Sequence, residues 1–161
     1  MRPAAPPSLV IAPVSGEAEI AAARALLVEY GASLDFSLDF QAFDAELARL
    51  PGKYAPPDGR LLLARLGGSV AGCVALHRWD ATAAEMERLY VRPAARGARV
   101  GRALAEEAIV QARMLGYRRM LLHTVPTMRA ALALYRDLGF RDIAPYRPIP
   151  IPGAVFLERE L

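Results

Sequence analysis

Residues 91–104 read VRPAARGARVGRAL. A β-like run, ERLYV, leads into Pro93, which has no N–H to continue a ladder, so the strand ends there. From Gly101 the chain turns helix-forming, with Leu104, Ala108, Ile109, Ala112 and Leu115 recurring on one face over 101–115. Between strand and helix lie Arg96, Gly97, Arg99, Gly101 and Arg102. A helix start presents unpaired backbone N–H groups and a partial positive charge. Glycine there lets a ligand reach the backbone, and arginine supplies donors that match phosphate oxygens. The stretch has the makings of a pyrophosphate cradle and, equally, of a solvated basic cap.

Outward from it, the chain reads as one domain over 8–161 behind a flexible leader, 1–7. The leading runs are a strand at 8–12, an amphipathic helix with Ile20, Ala23, Leu27 and Tyr30 on one face, stopped at Gly31, and a helix over 40–50. A β-hairpin turns at Gly67-Gly68, and the strand AEMERLYV follows it. After the 101–115 helix come the strand RRMLLHTV, the helix TMRAALALYRDLGF and a final strand, AVFLEREL. This order predicts an α/β fold of the α+β type, a mixed, mostly antiparallel sheet of six to seven strands with helices on both faces.

Composition narrows the function classes. Of 161 residues 54% are hydrophobic and 23% charged, which describes a globular chain. The net charge of +3 is mild and the arginines are dispersed except near 88–102, so an anionic small molecule fits that clustering at least as well as a nucleic-acid track, for which no reader motif is present. The single cysteine, Cys73, sits in the apolar run VAGCVAL and reads as a small core residue. No stretch approaches membrane-spanning length and the proline-rich start is no secretory signal, so a cytoplasmic location is expected, with neither membrane nor nucleic acid as partner and no metal.

Two segments carry a resemblance. The strand Leu89-Tyr90-Val91-Arg92-Pro93 followed by Arg96-Gly97-Ala98-Arg99-Val100-Gly101 resembles motif A of the GNAT superfamily of acyl-CoA-dependent N-acetyltransferases. An alanine-rich helix ending in Leu134-Tyr135 and Gly139-Phe140 resembles the family's second recurring segment, L-Y-x-x-x-G-F. With the element order the likeness covers nearly the whole chain from about residue 8. Arg99 stands where the loop usually has its first glycine, and Met128 where the last helix often begins with asparagine.

The resemblance implies transfer of an acetyl group from acetyl-CoA to the primary amine of a small molecule or peptide by direct attack, with homodimers common in the family. It implies cofactor contacts from Leu89, Tyr90 and Val91, from Arg96, Gly97, Ala98, Arg99, Val100, Gly101 and Arg102, and from Thr127 in the missing asparagine's stead. Tyr135 resembles the general acid that protonates the departing thiolate. Glu85 and Glu87 share one face of their strand by alternation, and Glu85 matches the place of a glutamate base in several members, with Glu87 beside it. An ordinary solvated strand face would explain the two glutamates as well, and core packing the tyrosine. The alternative of another class is a non-catalytic acyl-CoA sensor on the same fold. Tyr30, Phe36, Phe40 and Tyr146 come from segments that line the acceptor side in this fold, and His77 and His123 are left without a role.

Overall fold

The computed structural model describes residues 1–39 and 42–161. The elements run β1 (Leu9–Pro13), α1 (Gly16–Ser33), α2 (Phe43–Arg49), β2 (Arg60–Leu66), β3 (Ser69–Arg78), β4 (Ala83–Val91), α3 (Val100–Met114), β5 (Arg119–Thr124), α4 (Arg129–Asp137), β6 (Arg141–Asp142) and β7 (Val155–Glu160). One seven-stranded sheet has the order β1-β2-β3-β4-β5-β7-β6. Every neighbouring pair is antiparallel except β4–β5. The two-residue β6 is too short to leave a periodic trace in the sequence.

Strand β2, RLLLARL, is apolar on both faces because both are covered. Leu62 and Ala64 join Val74, Leu76, Met86, Leu104, Met120 and Leu157 in the larger core under α3 and α4. Leu61 and Leu63 face the smaller core with Leu26, Leu27, Tyr54, Cys73 and Tyr90 under α1. The β2–β3 turn is Gly67-Gly68, with φ of 59° and 84°, the backbone that a two-residue hairpin loop needs.

One sequence expectation fails. Gly31 does not stop α1, which runs on to Ser33. A Cβ at Gly31 would stand 2.9 Å from the Phe43 ring, so its bareness admits α2 and its neighbours to close packing. The proposed 40–50 helix begins at Phe43; its first two residues lie outside the described part.

Two irregularities shape the middle of the sheet. Strand β4 carries a bulge: Cys73 faces Tyr90, but Ala75 faces Glu87, so Arg88 is an extra residue with φ 62°. The bulge resets the alternation, so Glu87 and Tyr90 belong to the α1 side while Met86, Leu89 and Val91 meet the α3 side. Strict alternation from Glu85 would have put Leu89 and Val91 with the glutamates. Second, β4 pairs β5 only from Ala83 to Glu85, after which the two strands part.

Candidate active site

Where β4 and β5 part, two helices aim their N-termini at the opening. The first bond of α3 runs from Ala103 N–H to the Arg99 carbonyl, 3.1 Å, which leaves the N–H groups of 100–102 ahead of the ladder. In α4 the first is Leu132 to Met128, 3.0 Å. Between them lies a cleft of about 440 Å³ lined by Leu89, Tyr90, Val91, Arg96, Gly101, Thr127, Met128 and the first turn of α4. Its charge is that of two positive helix ends plus Arg96 and Arg129, suited to an anion.

Gly101 is informative because nothing internal demands it. Its backbone is ordinary helix, and a Cβ would meet only Val91 Cγ2 at 3.6 Å. Glycine costs a helix about 1 kcal/mol relative to alanine. The free space it leaves opens onto the cleft, so the residues present fit a phosphate-bearing ligand.

The predicted cofactor residues divide. Leu89, Tyr90, Val91, Arg96, Gly101 and Thr127 line the cleft. Gly97, Ala98 and Arg99 are exposed beside it, and Val100 is buried in the core instead. Arg102 pairs with Glu106 at 2.9 Å and with Asp137. Arg99 caps α3 in the left-handed region, φ 59°, which explains why glycine is the usual occupant there.

Past Leu89 and Met128 the cleft continues into smaller cavities. One is lined by Glu87, Arg88, Leu89, His123, Met128, Ala131 and Tyr135, among others. The next, about 50 Å³, is bounded by Tyr30, Phe36, Leu38, Met86, Glu87, Arg88, His123, Ile149 and Ile151, among others. Tyr135 is buried, stacked edge-on to Phe140 at 5.9 Å, and burial pushes its phenol well above the usual range. It stays protonated and able to donate. The Cys73 thiol, pushed by burial to about 12, is inert core.

The two glutamates occupy different situations. Glu85 is fully buried and lines neither of these cavities. It accepts from Tyr146 at 2.5 Å and from Arg147, and lies 2.9 Å from His77 Nε2 and 3.4 Å from His123 Nδ1. Glu87 lines both cavities. Its Oε2 accepts from Tyr54 at 2.6 Å and Lys53 at 3.1 Å, while its buried Oε1 has no hydrogen bond, His77 standing 3.6 Å off. Burial opposes the charge on both, yet hydrogen bonds from His123 and His77 hold Glu85 below the usual carboxylate range, and nearby His77, Lys53 and Arg88 hold Glu87 below it. His77 answers in kind: burial disfavours its charge, but Glu85 and Glu87 lift it to about 9. The donor atoms of His77, Glu85 and Glu87 lie within 4.8 Å of one another, as metal ligands would. Arg147, Lys53 and the imidazolium already supply that positive charge, so the cluster is an ion-pair network.

Around the bulge, Arg88 is buried and holds Glu46 of α2 with bonds of 2.9 and 3.1 Å, its guanidinium 5.1 Å over the Phe43 ring. The sequence gives no role to Glu46, Lys53, Tyr54 or Arg147, and only the arginine clustering near 88–102 marks the neighbourhood of Arg88. Tyr30 and Phe36 line the 50 Å³ cavity, Tyr146 is not among its walls, and Phe40 lies outside the described residues.

The family model of the acetyltransferase (GNAT) family matches residues 24–140. The chain belongs to that family. It is thus an acyltransferase of an acetyl-CoA-dependent group, with an N-acetyltransferase among its relatives: it is 41% identical over 140 residues to an uncharacterized N-acetyltransferase of Schizosaccharomyces pombe, covering 86% of each chain. It is 39% identical over 109 residues to an IAA acetyltransferase of Azospirillum brasilense, covering 66% of this chain and 71% of that one. Among solved structures, an acetyltransferase from Streptococcus agalactiae superposes with a TM-score of 0.78 over 95% of this chain and 98% of its own, at 22% identity. A Salmonella typhimurium structure that holds acetyl-CoA gives 0.74 over 95% and 94%, also at 22% identity. At that identity the likeness is one of fold. Among the described residues no helix is long and apolar enough to cross a membrane.

Proposed function

We propose that this acetyltransferase moves the acetyl group of acetyl-CoA onto a primary amine by direct attack. The observation that carries the reading is continuity: a cleft under two helix N-termini runs past Leu89 and Met128 into a cavity where Glu87 and Tyr135 are both wall residues. The Salmonella typhimurium neighbour that holds acetyl-CoA supports the cosubstrate.

Bound acetyl-CoA supplies an activated thioester. The α3 and α4 N-termini and Arg96 hold its phosphates, and Gly101 leaves them room. The unpaired backbone of β4 beyond Glu85 offers the pantetheine arm its ladder groups, with Leu89 and Val91 in reach of the cleft. Glu87, a wall residue of both inner cavities, orients the amine; held below its usual range, it attracts the ammonium and passes the proton on through water rather than stripping it in one step. Tyr135 stays protonated and donates to the departing thiolate. Glu85, walled in by four side chains, acts through its neighbours.

The test is thiol release with acetyl-CoA and a panel of amines. Tyr135→Phe is expected to lower kcat about 100-fold or more and to leave the acetyl-CoA Kd within about three-fold. Acetyl-CoA binding with no thiol release for any amine would make the chain a sensor, and an unchanged kcat would remove Tyr135 from the chemistry.

A further inference from the structure

The connection from β6 to β7, residues 143–154, crosses the acceptor end of the site. Ile149 and Ile151 are wall residues of the 50 Å³ cavity that holds Glu87. Pro145, Pro148, Pro150 and Pro152 restrict its backbone. The segment is fastened by neighbouring residues: Tyr146 donates to Glu85 Oε2 at 2.5 Å, and Arg147 pairs with Glu85 Oε1. The Tyr146 ring meets Trp79 and Phe156 edge-on at 5.0 and 5.2 Å, and the Arg147 guanidinium lies 4.7 Å over Trp79.

Burying a carboxylate is costly unless charged partners compensate it. Glu85 bears that cost without lining the cavity, and its two partners from the connection are what the arrangement gains. The cavity it closes is small: sites that enclose a drug-sized ligand measure roughly 300–1,000 Å³. Besides Glu87 and Arg88 its polar walls are Tyr30, His123 and Thr124, and the rest of the lining, Phe36, Leu38, Ile149 and Ile151 included, is apolar. A long cation or a peptide enters only if the strap leaves.

We propose that the Tyr146–Arg147 latch on Glu85 sets acceptor specificity by closing the site around a compact primary amine with an apolar body. This rests on the acetyl-transfer reading above. The experiment measures kcat/KM by thiol release for n-butylamine, spermidine and a trialanine amide. The wild-type protein is expected to favour n-butylamine at least ten-fold over either longer amine. Tyr146→Phe combined with Arg147→Met, which leaves Glu85 its two histidines, is expected to raise the trialanine-to-butylamine ratio about ten-fold, with the acetyl-CoA KM within two-fold. Should that double variant fail to fold, Ile151→Ala enlarges the cavity without touching the latch and shifts the same ratio several-fold the same way. Equal use of long and short amines by the wild type, or a ratio unmoved within two-fold in the folded variant, overturns the proposal. Absence of thiol release with every amine sinks the acetyl-transfer reading, and the size rule falls with it.

Discussion

The cofactor end and the acceptor end of this cleft are built by different means. The cofactor end is made of main chain: two helix starts, a strand edge without a partner and a glycine that leaves space. The acceptor end is made of side chains drawn from β3, β4, β5, the 51–59 loop and the β6–β7 connection. Main-chain groups cannot be mutated away, so a shared ligand can be held by chains with little sequence in common. Charged side chains can be exchanged one at a time, so the acceptor can change between relatives while the fold does not. The two ends should therefore break differently.

The sharpest contrast is Glu85→Leu. It removes the carboxylate nearest the His77 imidazolium and Arg147, leaving them only Glu87 Oε1 at 3.6 and 3.7 Å, and removing one partner of a buried ion pair typically costs about 3–5 kcal/mol. Urea unfolding should show a loss of that size, and the folded fraction should bind acetyl-CoA within a few-fold of wild type. A loss under about 1 kcal/mol would mean that the acceptor-end network is not coupled to folding.

The same network makes stability depend on pH. His77 titrates at about 9 in the fold against 6.5 when free, so its contribution is complete below pH 6.5 and is lost as pH rises toward 9. Glu85 and Glu87 are displaced downward from 4.5, so their contribution is present above that value and is lost as pH falls below it. Stability should be flat between these limits. From pH 6 to 9.5 the unfolding free energy should drop by about 3 kcal/mol, and His77→Gln should flatten that limb. An alkaline limb unchanged in His77→Gln assigns the titration elsewhere.

At the other end, Gly101→Glu should separate binding from folding in the opposite sense. A Cβ there meets only Val91, at 3.6 Å, so stability should change by no more than about 1 kcal/mol. Its bulk and charge enter the cleft, so the acetyl-CoA Kd, read by calorimetry, should rise at least about 30-fold, roughly 2 kcal/mol. An affinity within a few-fold of wild type would displace the phosphates from this helix start.

This division also explains what could be read without coordinates. The cofactor end was legible because its parts are local: Pro93 ends a strand, Gly97 and Gly101 flank a helix start, and Gly139-Phe140 closes the helix that carries Tyr135. The acceptor end was not, because its partners lie far apart in the chain: Arg147 meets Glu85 across 62 residues and Arg88 meets Glu46 across 42. Alternation named Glu85 and Glu87 as neighbours on one face but could not say that one would be sealed in and the other left facing a cavity. Nor could it foresee the Arg88 bulge, since arginine is not a residue that announces a positive φ.

Arg99 poses the smallest test of the comparison. It is exposed, in the left-handed region at the start of α3, and absent from the cleft wall. A side chain in that conformation costs about 1–2 kcal/mol relative to ordinary backbone, while glycine adopts it freely but loses more entropy on folding. These terms oppose, so Arg99→Gly should stabilise the fold by no more than about 1 kcal/mol. If the cofactor end is a main-chain device, the acetyl-CoA Kd should stay within about three-fold, because the α3 N–H groups survive the change. A loss of ten-fold or more, about 1.4 kcal/mol, with the fold intact would show that the guanidinium reaches the phosphates. The cofactor end would then be, at this one residue, as much a side-chain site as the acceptor end.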